Sequence, residues 1–421
     1  MKVCIHPKKL KGTVAIPPSK SLSHRAIIAA SLSEEESVIS NVMFSKDILA
    51  TIEGMKALGA KIEVEGTTLR ITGSKVKRRV DVIDANESGS TLRFLIPIAL
   101  VNSESIEFIG HNHLIKRPLD SYFEIFDKLG VNYTHPKDAY LPLKTSGCLK
   151  SSVYEVKGNI SSQFITGLLF ALPLLEGNSI IKIIGPLESK GYVDLTLDIL
   201  SKFGIYIINH DYETFEIKGN QKYKGYNYIV EGDYSQTAFF LIAGAMGADV
   251  KLKGINKVSY QGDKKIVDDI KALGGNVQFD EELLYCLPSQ TKGAVIDFSQ
   301  SPDLGPALTV LASVSEGVSY FTHIARLRIK ECDRVTCMKE ELEKLGARVY
   351  EEPDTMKIYG VSKLYGGVID SHNDHRVAMA LAMASLKMEE DLTILNAECV
   401  SKSYPNFWEV FEALGGDITY E

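Results

Sequence analysis

The segment DSYFEIFDKLG, residues 120–130, shows the pattern on which the predicted architecture of the chain rests. Its apolar residues Tyr122, Phe123, Phe126 and Leu129 recur with helical spacing, and Gly130 follows the last of them. Glycine directly after the last apolar residue is typical of a helix that ends in a left-handed residue. The segment therefore indicates an amphipathic helix that ends at Leu129.

This ending recurs along the chain with intervals of 71, 74, 70, 72 and 69 residues. Single apolar-Gly pairs are common in α/β proteins, but six on one period are hard to obtain by chance. A short pair of strands is expected after each, for example at 61–64 and 68–72. The six endings are Leu58-Gly59, Leu129-Gly130, Phe203-Gly204, Leu273-Gly274, Leu345-Gly346 and Leu414-Gly415.

A second helical segment, apolar on nearly all sides, recurs with the same period. A helix that lacks a polar face is expected to be buried. The segments are Ala26–Leu32, Phe94–Val101, Phe164–Leu175, Ala238–Met246, Ala307–Val314 and Val377–Leu386. Each is preceded by a polar position, at intervals of 69, 72, 73, 68 and 72 residues: Ser21, Ser90, Ser162, Ser235, Asp303 and His375.

The period is too long for a thin solenoid repeat and fits a strand–helix–strand–helix–hairpin unit. Six such units in 421 residues predict an α/β protein of two domains with three units each. We predict that residues 1–18 and 229–421 form a discontinuous domain with units four to six, and that residues 19–228 form an inserted domain with units one to three. The sixth unit lacks its hairpin, and residues 1–16 are expected to complete it.

Composition excludes several classes of protein. Apolar residues make up 45% and charged residues 24%, which is ordinary for a globular chain. The formal net charge is −7, from 47 Lys+Arg against 54 Asp+Glu, so a broad basic surface for nucleic acid is not expected. No apolar stretch reaches the ~20 residues that span a bilayer. Six scattered cysteines without a CxxC motif, and no visible signal peptide, indicate a cytoplasmic protein with reduced thiols.

The starts of the apolar helices combine hydroxyl groups with cations. Lys20, Arg25, Arg93 and Arg376 lie in or near first helical turns, where the helix dipole makes a cation locally unfavourable. Backbone N–H groups, hydroxyls and cations together are what a phosphate or carboxylate ligand needs, so the recurrence indicates anion binding. Each feature alone has a simpler interpretation: Ser19 and Asp374 as helix caps, Ser88-Gly89-Ser90 as a turn, and a lone arginine as a surface residue.

Further charged motifs lie outside this series. Arg117-Pro118 is predicted to open an amphipathic helix with proline at its first position, while Lys330–Arg334 and Lys402 could each be a solvated helix end. Asp303, Glu331 and His375 are candidate acid–base residues, although Asp303 could be only a cap. The P-loop, GxSxG and HExxH patterns are absent from the sequence, which disfavours the enzyme classes they mark.

An ordered set of motifs resembles the EPSP synthase (3-phosphoshikimate 1-carboxyvinyltransferase) family. Any one motif is moderately specific, whereas the set in family order, from residue 18 to 405, is very specific. The motifs are Pro18-Ser-Lys-Ser-x-Ser-x-Arg25-Ala, Glu87-Ser-Gly-Ser-Thr-x-Arg93, Lys116-Arg-Pro-Leu119, Gly158-Asn-Ile-Ser-Ser-Gln-Phe164, Val230-Glu-Gly-Asp-Tyr-Ser235, Lys330-Glu-x-Asp-Arg334, Asn373-Asp-His-Arg-x-Ala-Met-Ala380 and Lys402-Ser-Tyr-Pro405.

The resemblance implies two domains, each of three βαβαββ units with buried parallel helices (an inside-out α/β barrel), with the active site in the cleft between them. It implies that the 5-hydroxyl of shikimate 3-phosphate attacks C2 of phosphoenolpyruvate, and that a tetrahedral intermediate then loses phosphate. No metal or organic cofactor, nucleic acid or membrane partner is expected, and a monomer is expected.

The resemblance also implies residue roles, carried over by motif. Asp303 would accept the hydroxyl proton, and Glu331 and Lys20 are the candidates for proton transfer at the methylene carbon, with their division of labour left open. The expected ligands of shikimate 3-phosphate are Lys20, Ser21, Arg25, Ser161, Ser162, Gln163, Ser189, Asp303 and Lys330. The expected ligands of phosphoenolpyruvate are Lys20, Gly89, Arg117, Gln163, Arg334, Arg376 and Lys402.

Three alternative functions would share parts of this pattern. A sister carboxyvinyltransferase acting on a UDP-amino sugar would open with a Gly-Ala-Lys-Asn type motif and carry a reactive cysteine near the second unit, whereas no cysteine lies between Cys4 and Cys148. RNA 3′-phosphate cyclases share the fold unit but need a nucleic-acid surface. A non-catalytic anion-binding protein would need the cations without Asp303 or Glu331. Glu87 and Arg326 stand where many family members have Asn, and Phe94 where many have Pro or another residue, which leaves inhibitor response open.

Overall fold

The computed structural model describes residues 1–102 and 105–421, which form two units. The inserted unit is Pro18–Val230, and the discontinuous unit is Met1–Pro17 together with Glu231–Glu421. Within the described ranges, none of the helices has the length and apolarity that crossing a bilayer requires.

Helices of two kinds alternate along the described chain. The odd-numbered ones are buried on nearly all sides, as their apolar sequences predict, and the even-numbered ones are amphipathic. The helices are α1 (Lys20–Ser31), α2 (Lys46–Ala57), α3 (Gly89–Ala99), α4 (Asp120–Leu129), α5 (Ser162–Ala171), α6 (Lys190–Lys202), α7 (Tyr234–Ala245), α8 (Ile266–Ala272), α9 (Gly305–Ser313), α10 (Arg334–Lys344), α11 (His375–Ala384) and α12 (Phe407–Ala413).

Within residues 1–102 and 105–421 the strands form six four-stranded sheets, three in each unit. They are β1 (Val3–His6), β2 (Lys11–Ala15), β3 (Ser37–Ser40), β4 (Lys61–Glu65), β5 (Thr68–Thr72), β6 (Val82–Asp84), β7 (Ile106–Ile109), β8 (Asn132–Thr134), β9 (Leu143–Ser146), β10 (Val153–Lys157), β11 (Ser179–Ile184), β12 (Ile207–His210), β13 (Thr214–Ile217), β14 (Tyr228–Ile229), β15 (Asp249–Lys253), β16 (Asn276–Asp280), β17 (Leu283–Leu287), β18 (Val295–Asp297), β19 (Val318–Thr322), β20 (Arg348–Glu351), β21 (Thr355–Tyr359), β22 (Gly367–Asp370), β23 (Leu392–Leu395) and β24 (Asp417–Tyr420).

All six sheets share one topology, as the repeat predicts. In the third repeat the order is β10-β11-β13-β12, with β10 and β11 parallel and the other pairs antiparallel. The parallel register places Val156 beside Ile183. A helix connects the two parallel strands, a second helix follows, and a hairpin closes the unit, which gives the predicted βαβαββ repeat.

Three of the sheets are completed by strands from distant parts of the sequence. Strand β1 lies between β23 and β24, so the N-terminus completes the sixth repeat, but with one strand rather than the whole hairpin that was predicted, because β24 supplies the other strand. Strand β2 pairs in parallel with β15 and supplies the first strand of the fourth repeat. Strand β14 pairs with β3 and supplies the first strand of the first repeat. The strands β2 and β14 are thus exchanged: β2 precedes the first repeat in the sequence but joins the fourth, and β14 precedes the fourth but joins the first. This exchange was not predicted, because the sequence of a two- to five-residue strand carries little information about the strand with which it pairs.

The helix endings follow the predicted glycine rule. The backbone φ angle at the six glycines that follow the amphipathic helices is positive: Gly59 (112°), Gly130 (71°), Gly204 (80°), Gly274 (85°), Gly346 (88°) and Gly415 (89°). A side chain is disfavoured in this left-handed region, which is why glycine recurs there.

The buried helices pack against one another within each unit. In the inserted unit α3 packs on α5, and in the discontinuous unit α9 packs on α7 and α11. The even-numbered helices pack beside them, as α2 does against α1 and α3. The polar N-termini of the buried helices therefore lie within reach of one another.

One boundary differs from its prediction. Helix α4 begins at Asp120, with Leu119 as its N-cap, so Pro118 lies outside the helix rather than at its first position. The carbonyl oxygen of Pro118 instead accepts a hydrogen bond from Arg93 at 2.9 Å. A tertiary contact, which the local sequence does not show, thus holds the segment before the helix.

Candidate functional site

The buried helices of the inserted unit begin with serine caps. Ser19 Oγ accepts a hydrogen bond from the backbone N–H of Leu22 at 3.4 Å, and Ser88 Oγ accepts one from Thr91 at 3.1 Å. Ser161 caps α5 in the same way. The capping interpretation of Ser19 is therefore confirmed. It does not exclude a binding role, because a cap satisfies only part of the free N–H groups at a helix start.

The starts of α3 and α5 are in direct contact. Gln163 Nε2 donates to Ser90 Oγ at 3.0 Å, and Gln163 Oε1 accepts from Arg93 Nη1 at 2.7 Å. The expectation that equivalent helix starts lie together is confirmed for this pair.

Lys20, the first residue of α1, is held by a carboxylate that sequence reasoning missed. Its Nζ lies 2.8 Å from Asp47 Oδ2, and the side chains are 17% and 5% exposed. Asp47 lies in the first turn of α2, where the helix dipole favours negative charge. An acidic residue after the Ser45 cap is so common that the sequence carried no signal of this pairing. The pair fixes the position of the Lys20 ammonium group.

Arg25 is buried and directs most of its donors into the inserted unit. Its Nε donates to Thr196 Oγ1 at 2.9 Å, and Nη1 donates to the carbonyl of Ser21 at 2.8 Å. Nη2 donates to the carbonyl of Tyr192 at 3.0 Å, and the guanidinium lies 5.2 Å from the centre of the Phe94 ring. Burial lowers the pKa of Arg25 to about 10, which leaves it charged at neutral pH. Arg25 therefore stabilises the packing around the start of α1, in addition to the binding role that was predicted for it.

Gly89 and Arg117 are close neighbours. Arg117 is buried, and a Cβ atom at position 89 would lie 2.5 Å from Arg117 Nη1. That distance is a clash, so glycine allows the guanidinium to lie over the start of α3. Two of the four predicted phosphoenolpyruvate ligands of this unit, Gly89 and Arg117, are thus placed together.

The three remaining predicted serines also occupy helix starts. Ser21 is half-buried in the first turn of α1, and Ser162 is the buried first residue of α5. Ser189 precedes α6 with φ 56° and ψ 44°, which is unusual for a residue with a side chain. Such backbone angles cluster at functional positions, although they do not identify a ligand.

We expect His24 to make the inserted unit acid-sensitive. Burial lowers the pKa of His24 to about 3, and its Nδ1 is hydrogen-bonded to Thr51 Oγ1 at 2.7 Å. Between pH 6.5 and 3 the unfolded chain binds a proton that the folded protein does not, so stability falls by ~1.4 kcal/mol per pH unit as pH falls. When the pH is lowered from 6.5 to 4.5, the free energy of unfolding of His24→Asn, measured by urea unfolding, should decrease by about 2–3 kcal/mol less than that of the wild type.

The control for this prediction is His135→Asn, which alters an exposed histidine of the same unit. Its pH profile should follow that of the wild type. Parallel profiles for His24→Asn and the wild type would contradict the assignment of the acid sensitivity to His24.

In the discontinuous unit, Arg376 connects the starts of three buried helices. Its Nη2 lies 2.9 Å from Ser235 Oγ at the start of α7 and 3.2 Å from Asp303 Oδ2 just before α9. Arg376 itself is in the first turn of α11. The predicted convergence of helix starts is confirmed here as well.

Arg334 is the centre of the charge cluster in this unit. It is 1% exposed, and its guanidinium contacts three carboxylates: Asp374 at 2.7 Å, Glu331 at 2.7 Å and Asp303 at 3.0 Å. Burial alone would lower its pKa, but the three carboxylates raise the pKa of Arg334 well above its usual range. Arg334 is therefore a permanent cation that orients the acid groups around it.

Asp303 is surrounded by cations. Lys330 Nζ lies 3.2 Å from its Oδ1, in addition to the contacts with Arg334 and Arg376. Burial would raise the pKa of Asp303, but the three cations hold that pKa well below its usual range. The carboxylate is therefore ionised at neutral pH, as a proton acceptor must be.

Lys330 and Lys402 complete the cluster. Burial lowers the pKa of Lys330 to about 8, and attraction to Asp303 only partly offsets the decrease. Lys402 is buried, with Nζ 3.9 Å from Glu331 Oε1. The structure thus places Asp303, Lys330, Glu331, Arg334, Arg376 and Lys402 together, although their sequence positions span 100 residues.

A loop before α11 carries Asp374, and the contact that holds this loop in place was not predicted. His372 and Asn373 both have left-handed backbone angles, with φ 52° and 55°. His372 Nε2 contacts the buried carboxylate of Glu341 at 2.7 Å. Asp374 caps α11 through the N–H of Arg376 at 2.8 Å, which confirms its capping role. The strained loop is held by a residue of α10 that no local pattern singles out.

Two groups of side chains in the described ranges have metal-ligating atoms within 4.8 Å of one another. One is Cys4, His6 and Asp391, and the other is Glu340, Glu341 and His372. Neither includes a residue of the predicted site. The side chains of the predicted site can bind anions through cations and N–H groups and can transfer protons through carboxylate and ammonium groups.

Comparison with known proteins gives consistent results. The sequence model of the family described as EPSP synthase (3-phosphoshikimate 1-carboxyvinyltransferase) matches residues 5–411. A 3-phosphoshikimate 1-carboxyvinyltransferase from Clostridium perfringens is 52% identical over 100% of both chains, and one from Clostridium acetobutylicum is 53% identical over 99% of this chain and 98% of the relative. Among solved structures, EPSP synthase from Acinetobacter baumannii is similar with a TM-score of 0.82 and 26% identity over 100% of both chains. The enolpyruvyl transferase NikO from Streptomyces tendae, at 17% identity with a TM-score of 0.81 over 100% of this chain and 98% of that one, shares the fold.

Proposed function

The chain belongs to the EPSP synthase (3-phosphoshikimate 1-carboxyvinyltransferase) family, and from that premise we propose which of its residues carry the reaction. The enzyme transfers the enolpyruvyl group of phosphoenolpyruvate to the 5-hydroxyl of shikimate 3-phosphate. Addition gives a tetrahedral intermediate, and elimination then releases phosphate. The product feeds chorismate and aromatic amino acid biosynthesis.

The first proposal concerns shikimate 3-phosphate. Its phosphate needs cations and hydroxyl or N–H donors, and these are concentrated at the starts of α1 and α5. Lys20, held by Asp47, offers an ammonium group at a fixed position. The proposed ligands are Lys20, Ser21, Arg25, Ser161, Ser162, Gln163, Ser189, Asp303 and Lys330.

The second proposal concerns phosphoenolpyruvate, which carries both a carboxylate and a phosphate. Two anionic groups on a small molecule call for a dense set of cations, and bidentate arginine is well suited to both. Arg117 over Gly89 is one such group, and Arg334 with Arg376 is another. The proposed ligands are Lys20, Gly89, Arg117, Gln163, Arg334, Arg376 and Lys402.

The third proposal assigns proton transfer. Asp303 accepts the proton of the attacking hydroxyl, and Glu331 and Lys20 share proton transfer at the methylene carbon of phosphoenolpyruvate. The three cations that hold Asp303 ionised also attract the substrate anions, so substrate binding weakens their hold and makes the carboxylate a better base. The observation that carries the proposal is this one carboxylate in contact with Lys330, Arg334 and Arg376.

The pH dependence of the reaction tests the site assignment. Because the pKa of Lys330 is lowered to about 8 in the free enzyme, the side chain loses its charge above that pH. We expect kcat/KM for shikimate 3-phosphate to fall about tenfold per pH unit above pH 8. The measurement is phosphate release from phosphoenolpyruvate that depends on shikimate 3-phosphate, followed from pH 6.5 to 10.

Lys330→Arg is the diagnostic variant, since a guanidinium stays charged across this range. Its activity is expected to be lower at neutral pH, but its alkaline decline should begin above pH 9. Lys339→Arg, which alters a lysine of α10 that pairs with Glu343, is the control and should keep the wild-type profile. An alkaline limb that is identical in wild type and Lys330→Arg would contradict the assignment.

We further propose that the protein acts as a monomer in the cytoplasm. All six cysteines are free thiols, in keeping with a reducing compartment. Size-exclusion chromatography with light scattering at micromolar concentration would test the oligomeric state.

A further inference from the structure

Arg93 in α3 is buried, with 3% of the residue exposed, and makes two hydrogen bonds inside the inserted unit. Nη1 donates to Gln163 Oε1 at 2.7 Å, and Nη2 donates to the carbonyl of Pro118 at 2.9 Å. The guanidinium lies 5.0 Å from the centre of the Phe164 ring. These two hydrogen bonds go to carbonyl oxygens of the protein, so the arginine that the sequence suggested as an anion ligand also holds other parts of the inserted unit in place.

The chemistry of the two groups determines how Gln163 is oriented. A guanidinium carries five N–H donors and has no acceptor, so only the amide oxygen of Gln163 can face it. The amide NH₂ group must then point the other way, and it donates one hydrogen to Ser90 Oγ at 3.0 Å. Its second hydrogen is left to donate to an anion. Without Arg93, the amide could rotate and present its oxygen to that anion instead.

The same guanidinium also fixes the segment that carries Arg117. Pro118 follows Arg117 directly, so a hydrogen bond to the Pro118 carbonyl restrains the backbone where the Arg117 side chain begins. The Arg117 guanidinium in turn lies over Gly89. Two side chains proposed above as phosphoenolpyruvate ligands therefore depend on one buried arginine.

We propose that Arg93 is a positioning residue that orients the Gln163 amide and the Arg117 segment so that both present N–H donors to phosphoenolpyruvate. The proposal rests on the assignment of Gln163 and Arg117 as ligands of that substrate. It adds a residue that acts through both of them. Gln163 is proposed as a ligand of both substrates, but Arg117 is proposed for phosphoenolpyruvate alone, so the effects on phosphoenolpyruvate are expected to exceed those on shikimate 3-phosphate.

The test is a double-mutant cycle with steady-state kinetics for each substrate. Arg93→Lys keeps the charge but loses the forked donors, and should raise KM for phosphoenolpyruvate at least tenfold while changing KM for shikimate 3-phosphate less than threefold. In the Gln163→Ala background the same change should cost at least threefold less in kcat/KM for phosphoenolpyruvate, because part of what Arg93 orients is already gone. Arg70→Lys, at an exposed position of the same unit, is the control.

The outcomes separate the two proposals. If Gln163→Ala leaves phosphoenolpyruvate kinetics unchanged, the ligand assignment is wrong and the positioning role is overturned with it. A second result is that Gln163→Ala impairs the use of phosphoenolpyruvate, but Arg93→Lys lowers kcat/KM by the same factor with or without Gln163→Ala. That result, or an equal effect of Arg93→Lys on both substrates, would overturn only the positioning role.

A second variant keeps the proposal testable should Arg93→Lys fold poorly. Gln163→Glu can still pair with Arg93 through its carboxylate, so the thermal midpoint should stay within a few degrees of the wild type. It lacks the NH₂ donor, and KM for phosphoenolpyruvate should rise at least as much as in Gln163→Ala. Wild-type kinetics for Gln163→Glu would overturn the orientation argument.

Discussion

Asp303→Asn is expected to lower kcat by about 10²- to 10⁴-fold, the usual contribution of a general base. Asparagine has nearly the same size, and its single amide oxygen can still accept hydrogen bonds from Lys330 and Arg334, which contact Oδ1 of Asp303. Its NH₂ group replaces the oxygen that faces Arg376, and the amide cannot accept the hydroxyl proton. Binding of shikimate 3-phosphate, measured by isothermal titration calorimetry, should be largely kept. The expected result is therefore a loss in kcat that is not matched in affinity.

The comparison variant for this experiment is Asp297→Asn. Asp297 is a half-exposed carboxylate of the same unit that pairs with His323 at 3.1 Å and is not among the partners of the three cations. Its kcat should stay within about twofold of the wild type. Undiminished turnover in Asp303→Asn and in Asp303→Ala would remove Asp303 from the catalytic machinery and favour the view that it is only a structural counter-charge.

Arg334→Met is expected to reduce the free energy of unfolding of the discontinuous unit by about 3–5 kcal/mol. The substitution keeps much of the side-chain volume but leaves three carboxylates without their shared cation, and one of them, Asp374, is fully buried. Buried carboxylates without a partner prefer to be protonated, so their pKa values rise. The deficit relative to the wild type should consequently shrink as pH falls from 7 towards 4.5.

Urea unfolding of the full chain at several pH values would measure this effect. Arg334→Lys should give an intermediate loss, because one ammonium group cannot reach all three carboxylates as the guanidinium does. Arg348→Met changes an exposed arginine on β20 and should differ from the wild type by less than ~0.5 kcal/mol. A similarly small effect for Arg334→Met would show that the cluster does not stabilise the fold.

Much of the candidate site was predictable because helix starts carry a strong local signature. Ser19 and Asp374 were identified as possible caps from residue type and position alone, and the structure confirms them. Ser88, which the sequence suggested as part of a turn, also caps a helix. The cations of the first turns were identified because they oppose the helix dipole. The partners of these groups were not predictable. Asp47 and Glu341 are acidic residues on amphipathic helices, where a carboxylate is ordinary.

Arg93 shows the limit most clearly. Its position in the first turn of a buried helix suggested an anion ligand, and the same pattern fits Lys20 and Arg376. What differs is the neighbouring atoms: carbonyl oxygens of Gln163 and Pro118 lie within 2.9 Å of its guanidinium. Sequence spacing reports the direction of a side chain along its own helix, but it does not report which acceptors another segment brings to that place.

By itself, the sequence determined the repeat, the two kinds of helix, the glycine endings and the completion of the sixth sheet by the N-terminal strand. These features depend on periodicity and on backbone angles, which are local properties of a chain. The tertiary structure alone decided the exchange of strands β2 and β14, the pairing of Lys20 with Asp47 and the gathering of three carboxylates around Arg334. Those contacts join residues far apart in the chain, and their energies depend on distance and burial, which no local pattern records.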